Sequence, residues 1–373
     1  GSLLLAKRFG ARREEEMKLA GGNLYLSAGL LCAVMMAGAQ MIARPILIWQ
    51  GTPSDVLDQA VLYLRVSYGG IFALFAYNLY AALLRAVGDS KTPLYAILAA
   101  TAINISLDIW FVAGLGWGVF GVALATVIAQ AVSAVVCMLR VRAYALLRVQ
   151  RRHLRPRRAV LKEYFSLSVP MLLQSFVIAL GGFFVQSHVN AYGAVFVAGM
   201  SATGKVFGLL ETAAVTLAQA TATFVSQNHG AMRFDRIRSG VRASIWISLL
   251  IATVLACSMF LLGRWLLSLF VAKEAVDIAF GLLTAMSAGL FIMYPMYVLR
   301  QTLQALGNAM IPLVAAVVQL LARVLVTLYL PLLIGRAGMY FPTVVAWCTS
   351  LLLIAPVYPA WLRRCQERGG PGI

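Results

Sequence analysis

Acid is scarce in this sequence. Thirteen Asp and Glu stand against 31 Lys and Arg, and charges of both signs make up only 12% of 373 residues. A water-soluble domain carries roughly a quarter of its residues as charges, so a soluble globular chain is excluded. Histidine is rarer still: His153, His188 and His229 lie far apart, two of them in or near basic loops. The five cysteines (Cys32, Cys137, Cys257, Cys348, Cys365) are odd in number, widely spaced and mostly inside apolar runs, with no CxxC pair. They point to neither a disulfide framework nor a thiolate metal site, and read as small buried side chains. GxSxG, HExxH and P-loop patterns are missing. No enzyme chemistry, ATP hydrolysis included, has residues to carry it, and no cofactor is called for. Residues 1–22 end in a dense charge cluster instead of a small-residue cleavage site, so no cleavable signal peptide is read there.

What is abundant is apolar surface, at 61% of residues. A helix crossing a bilayer needs about 20 consecutive apolar residues, and such runs recur along the whole chain. Barrel strands would show short alternating segments instead. The expected fold is therefore an all-α integral membrane protein. Its full spans are expected near 20–46, 57–86, 92–113, 117–140, 163–190, 194–227, 239–263, 275–305, 310–334 and 338–361, after a partial one at 1–6.

The net charge of +18 does not imply nucleic acid, because the basic residues cluster in short gaps between apolar runs. If the gap at 7–18 faces the cytoplasm and sides alternate, 24 of the 31 Lys and Arg fall on or beside cytoplasmic segments, Arg300 among them. That asymmetry satisfies the positive-inside rule and places the C-terminus in the cytoplasm. Residues 141–162, rich in arginine around Arg155-Pro156-Arg157-Arg158, read as a basic linker between a first lobe at 1–140 and a second at 163–365.

An internal repeat supports two lobes. Leu84-Arg85-Ala86-Val87-Gly88-Asp89 through Pro93 matches Leu303-Gln304-Ala305-Leu306-Gly307-Asn308 through Pro312 at a shift of 219; Phe9-Gly10-Ala11-Arg12-Arg13 matches His229-Gly230-Ala231-Met232-Arg233 at 220. Two matches at nearly one shift imply homologous halves running in the same direction. By the same shift the first half lacks its first helix and most of its second, roughly 55 to 60 residues; twelve spans are expected in an intact chain.

An ion at the bilayer centre costs about 2.5–3.5 kcal/mol or more, so charged residues within spans are the functional candidates. Asp108 is the clearest. Asn104 lies one turn before it on the same helical face, and Thr126 in the next span reaches a comparable depth. A carboxylate, an amide oxygen and a hydroxyl form a hard-oxygen set suited to Na⁺ or to a proton on the acid; otherwise Asp108 bonds neighbouring helices. Glu211 either lines a cavity or caps a kink. Arg323 falls where the repeat puts the counterpart of Asn104 and is expected to meet a polar group across the lobes. Gln174, Gln186 and Asn190 place three amides in one span, for ligand contact or for helix–helix hydrogen bonds. Methionine and aromatic residues would suit a plastic cavity for apolar cations.

The run Leu84-Arg85-Ala86-Val87-Gly88-Asp89-Ser90-Lys91-Thr92-Pro93, then Asn104 and Asp108, then Gly121-Val122-Ala123-Leu124-Ala125-Thr126, resembles the multidrug and toxic compound extrusion (MATE) transporters. So do Phe224 to Ala231 and Phe9-Gly10-Ala11. Val169-Pro170-Met171 with Gln174, and Gln186 with Asn190, look most like the DinF-like bacterial branch. The resemblance implies two six-helix lobes that rock to alternate access. It implies a monomer in the bacterial inner membrane, embedded in lipid, that exports cationic or amphipathic small molecules by antiport with H⁺ or Na⁺. It also implies a first-lobe cation site using Asn104, Asp108 and Thr126 with an acid on the first helix. Two rivals remain: a lipid-linked oligosaccharide flippase of the same superfamily, which needs more basic residues in its cavity than Arg65, Lys205 and Arg323, and an inactive transporter fragment.

Overall fold

The computed structural model describes residues 1–49 and 52–368. Every regular element among them is helical: α1 (Ser2–Gly10), α2 (Glu14–Trp49), α3 (Ser54–Gly69), α4 (Ile71–Ala86), α5 (Lys91–Ile109), α6 (Gly118–Ala143), α7 (Arg158–Val189), α8 (Ala194–Gly230), α9 (Phe234–Ser268), α10 (Lys273–Ala305), α11 (Met310–Ile334) and α12 (Pro342–Arg368). Ten helical stretches among the described residues are long and apolar enough to cross a membrane, α3 and α4 counting together as one. The helices overrun the expected spans at most ends: α9 starts at Phe234 and runs to Ser268. Charge marks where lipid ends, but the helix continues into the polar interface.

Large apolar side chains stand fully outward, Leu261 at 81% exposure and Leu333 at 80%. Such a surface is stable against acyl chains, and the helix satisfies its own backbone polar groups there. The expected span 57–86 is broken at Gly70, where a Cβ would come within 2.1 Å of Val127 Cγ2 on α6. Close approach of α6 uses a position with no side chain.

The chain divides into two compact units, Gly1–Leu161 and Lys162–Ile373. In the first, α6 packs on α3, α4 and α5, and α2 packs on α3 and α4. In the second, α10 is the central element, buried against α8, α9 and α12. Its core gathers Phe207, Leu210, Leu290, Met293, Tyr294 and Trp347, with Phe207 stacked on Trp347 at 5.5 Å. The basic stretch 141–162 is helical at both ends, and between them carries short turns at Ala145–Leu147 and Arg151–Leu154.

The repeat extends to backbone geometry. After α4, Gly88 has φ +92° and the Asp89 N–H donates to Leu84 O at 2.9 Å; after α10, Gly307 has φ +86° and the Asn308 N–H donates to Leu303 O at 2.9 Å. Both are glycine-terminated helix ends in which the N–H two residues past the cap reaches back to the last turn. Asp89 Oδ1 then accepts the Thr92 N–H (3.0 Å), as Asn308 Oδ1 accepts that of Ile311 (3.1 Å). After α1 and α8 the left-handed position falls on Arg12 (φ 57°) and Met232 (φ 56°). Two residue types that both avoid this conformation adopt it at matching positions, which only a shared backbone plan explains.

Candidate functional site

In the first unit Asn104 and Asp108 are half-buried on α5, and Thr126 is half-buried on α6, the helix α5 packs against. Asp108 Oδ1 and Asn104 Nδ2 are shielded from solvent and have no hydrogen-bond partner. Thr126 Oγ1 donates to Val122 O at 3.0 Å, which leaves its lone pairs free to accept. A buried carboxylate oxygen without a donor costs at least about 1–3 kcal/mol, so a donor or a cation placed at Asp108 Oδ1 would be stabilising. Turning the Asn104 amide by half a turn exchanges Nδ2 for Oδ1. That would bring amide and carboxylate oxygens onto one face, where they could hold a hard cation; a proton on Asp108 is the other remedy.

The end of α5 is held in place. A wide turn, Trp110–Gly114, follows Ile109. Phe111 stacks on Trp117 at 5.0 Å, and Gly121 on α6 leaves room for it, since a Cβ there would meet Phe111 Cβ at 2.8 Å. Asp108 therefore sits just before a break in helical pitch, a kind of irregularity that recurs at functional sites.

The second unit holds a different cluster. Tyr297 Oη on α10 donates to Glu211 Oε1 on α8 at 2.5 Å. One turn along α10, Arg300 is only 3% exposed. Its Nη2 donates to Gln319 Oε1 on α11 (3.0 Å) and Ser350 Oγ on α12 (3.3 Å), and its guanidinium lies 5.3 Å from the Tyr297 ring. Arg323, 7% exposed, runs across α7 at Gly181, where a Cβ would come within 3.3 Å of its Cδ and Nη1. Glu211 is close enough to interact electrostatically with both arginines. Neither Nε has a partner. Two buried guanidiniums thus share one half-buried carboxylate, and the cluster carries a surplus positive charge within an apolar helix bundle.

Of the residues expected to line a cavity, Glu211 and Arg323 meet in this cluster. Gln174 is used otherwise: buried on α7, its Oε1 accepts from Gln304 Nε2 at 2.8 Å, the helix–helix bond that was its alternative role. Gln186 donates to Asn190 Oδ1 at 3.1 Å, both residues exposed at the far end of α7. Arg300 corrects an expectation. Its place five residues from the end of α10 predicts a cytoplasmic flank, yet it is buried and bonded to α11 and α12. Nothing in the sequence marks Tyr297, Gln319 or Ser350 as members of this cluster.

Parallel helical repeats, each with an ionisable group sunk among its spans, define a multi-pass membrane transporter. Comparison with known proteins narrows the class. The MatE family model matches residues 2–110 and 170–329. Over 371 residues the chain is 30% identical to "Probable multidrug resistance protein YoeA" of Bacillus subtilis, an alignment covering 96% of this chain and 80% of that one. It is 22% identical over 316 residues to "Multidrug export protein MepA" of Staphylococcus aureus, covering 84% and 69%. Its fold matches a MATE protein crystallised in the bent conformation, with TM-score 0.92 and 18% identity over 99% of this chain and 84% of the other. The chain belongs to the MatE family.

Proposed function

We propose that the chain is a secondary active exporter of cationic or amphipathic compounds, driven by inward H⁺ or Na⁺. The observation carrying this reading is the unpartnered Oδ1 of Asp108, one turn from Asn104 on α5, a helix that packs against the one carrying Thr126. A carboxylate oxygen without a protein partner is a suitable ligand for a hard cation. One charge moving through 100 mV supplies about 2.3 kcal/mol. The names of the relatives, a probable multidrug resistance protein and a multidrug export protein, support export of drugs in general. In this reading residues 1–140 and 163–365 act as two lobes joined by the basic linker 141–162. The protein works as a monomer in a bacterial cytoplasmic membrane, with its C-terminus inside, and groups with the DinF-like branch.

The test is dye transport in proteoliposomes. A fluorescent lipophilic cation should move against its gradient when a proton or sodium gradient is imposed, and should stop when that gradient is collapsed. Transport at the same rate without any gradient would refute antiport.

A second reading, a flippase for a pyrophosphate-linked lipid, draws on the buried surplus of positive charge at Arg300 and Arg323. Arg300 adds a fourth intramembrane cation to the three visible in the sequence. Translocation of a lipid-linked pyrophosphate in the same vesicles, with no dye movement, would favour it.

A further inference from the structure

On the second unit, a groove of ≈ 580 Å³ opens between the start of α9 and the end of α12. Its polar end holds three guanidiniums, Arg238 and Arg242 one turn apart on α9 and Arg363 on α12. All three residues are exposed. Arg238 donates to Gln366 Oε1 at 2.9 Å, but among the described residues no carboxylate lies within ion-pair range of any of the three. Two acids lie close by in the sequence of these helices: Asp235, on the rim of an adjoining hollow that shares Arg238 and Arg242, and Glu367, one turn after Arg363 on α12. From the guanidiniums the groove continues along an apolar wall, Val241, Ile245 and Leu249 on α9. Trp246 and Tyr358 flank it where the polar and apolar parts meet, and Tyr358 Oη is buried without a partner.

We propose that this groove binds the headgroup and first acyl segment of an anionic phospholipid. The physical order of the site is that of a lipid: three fixed positive charges, then two amphipathic aromatic rings of the kind that settle at headgroup level, then aliphatic side chains. From Arg238 to Leu249 is eleven residues, or about 16 Å of helix, close to the depth of one leaflet's hydrocarbon (about 15 Å). Basic pockets between membrane helices bind anionic headgroups by this arrangement. In the orientation set by the basic loops, the groove opens to the cytoplasmic leaflet.

The first unit shows what the same helix face looks like when protein covers it. At the repeat shift of 220, Arg238, Val241 and Arg242 correspond to Lys18, Gly21 and Gly22 on α2. There the linker lies on the helix. Val149 Cγ2 and His153 O come within 3.4 and 2.2 Å of where Cβ atoms of Gly21 and Gly22 would be. His153 Nε2 is 3.2 Å from Glu15 Oε2, and the Arg157 N–H donates to Asn23 Oδ1 at 2.8 Å. Glycines admit a covering segment in one repeat. In the other, arginines face an open groove, and their charge selects an anion as its occupant.

Native mass spectrometry of the purified chain, with phosphatidylglycerol and phosphatidylcholine added in turn, tests the assignment. Phosphatidylglycerol should stay bound and raise the melting temperature, while phosphatidylcholine should do neither. Each arginine facing an anionic headgroup contributes about fivefold in affinity, so the triple variant Arg238→Gln, Arg242→Gln, Arg363→Gln should lose on the order of a hundredfold. Arg236→Gln, a charge removed on α9 outside the groove, should leave retention unchanged and shows that the fold tolerates such a change. Equal retention of both lipids, or retention of phosphatidylglycerol by the triple variant, overturns the proposal. So does a melting shift of the same size from millimolar inorganic phosphate, which would make the site a phosphate site and not a lipid site.

Discussion

Replacing Gly22 by alanine tests how the basic linker is attached to α2, and the sign of the result is informative. In the middle of an unencumbered helix, Gly→Ala stabilises by about 1 kcal/mol. At Gly22 the new methyl would sit 2.2 Å from the His153 carbonyl oxygen, inside the 3.0 Å that Cβ atoms keep from their neighbours. The obstacle is backbone, so the turn Arg151–Leu154 must lift by about 0.8 Å or more. Overpacking of this kind costs about 1–3 kcal/mol. Lifting the turn also stretches the bond from the Arg157 N–H to Asn23 Oδ1, worth about 1 kcal/mol. Set against the helix-propensity gain, the net loss is about 1–3 kcal/mol, or roughly 2 to 12 °C in melting temperature for a unit of this size. Gly29→Ala on the same helix, with nothing within 4 Å of the added methyl, should instead stabilise. Thermal unfolding in detergent, followed by tryptophan fluorescence, gives the sign. Trypsin should also cut the Gly22→Ala protein faster after Arg152 or Arg155. If Gly22→Ala stabilises as Gly29→Ala does, the linker is not seated on α2.

In the second unit, Glu211→Gln keeps an acceptor for Tyr297 but removes the acid that, among the described residues, interacts electrostatically with both Arg300 and Arg323; leaving a buried charge without its countercharge costs about 3 kcal/mol, or roughly 6 to 12 °C. Adding Arg323→Met should recover much of that, and a strictly additive loss in the double variant would show that the two groups do not interact. Outside the spans, burial raises the pKa of the Asp89 carboxyl, but hydrogen bonds from Thr92, Arg140 and Tyr144 outweigh it and hold the group below its usual range. A depressed carboxyl stabilises the fold above its unfolded-state pKa, near 4, and that contribution is lost as pH falls through the folded value. Asp89→Asn should therefore lower the melting temperature at pH 7 and flatten its acid dependence; an unchanged acid limb would contradict the assignment.

The helices were legible because lipid imposes one rule, a long apolar run, that sequence displays directly. Asp108 was legible for the converse reason, as an acid inside such a run. The break at Gly70 was not, since it reflects how closely Val127 approaches from another helix. Arg300 was hidden by its place near a helix end, where arginine ordinarily reaches the interface. Its partners Gln319 and Ser350 lie 19 and 50 residues away, and a polar residue alone in its helix gives no sign of which neighbour it meets. The seat of the linker at Gly22 left no side-chain pattern, because there the His153 carbonyl rests on the helix backbone.

In the proposed antiport Asp108 holds the coupling ion. Asp108→Asn preserves shape and removes the charge an ion answers, so it should insert and melt like the parent. In proteoliposomes loaded with a fluorescent cationic dye, the parent's rate should rise with the imposed H⁺ or Na⁺ gradient, and the variant's rate should not respond to it. Gradient-driven export by Asp108→Asn at the parent's rate would place the coupling group elsewhere, with Glu211 the next residue to replace.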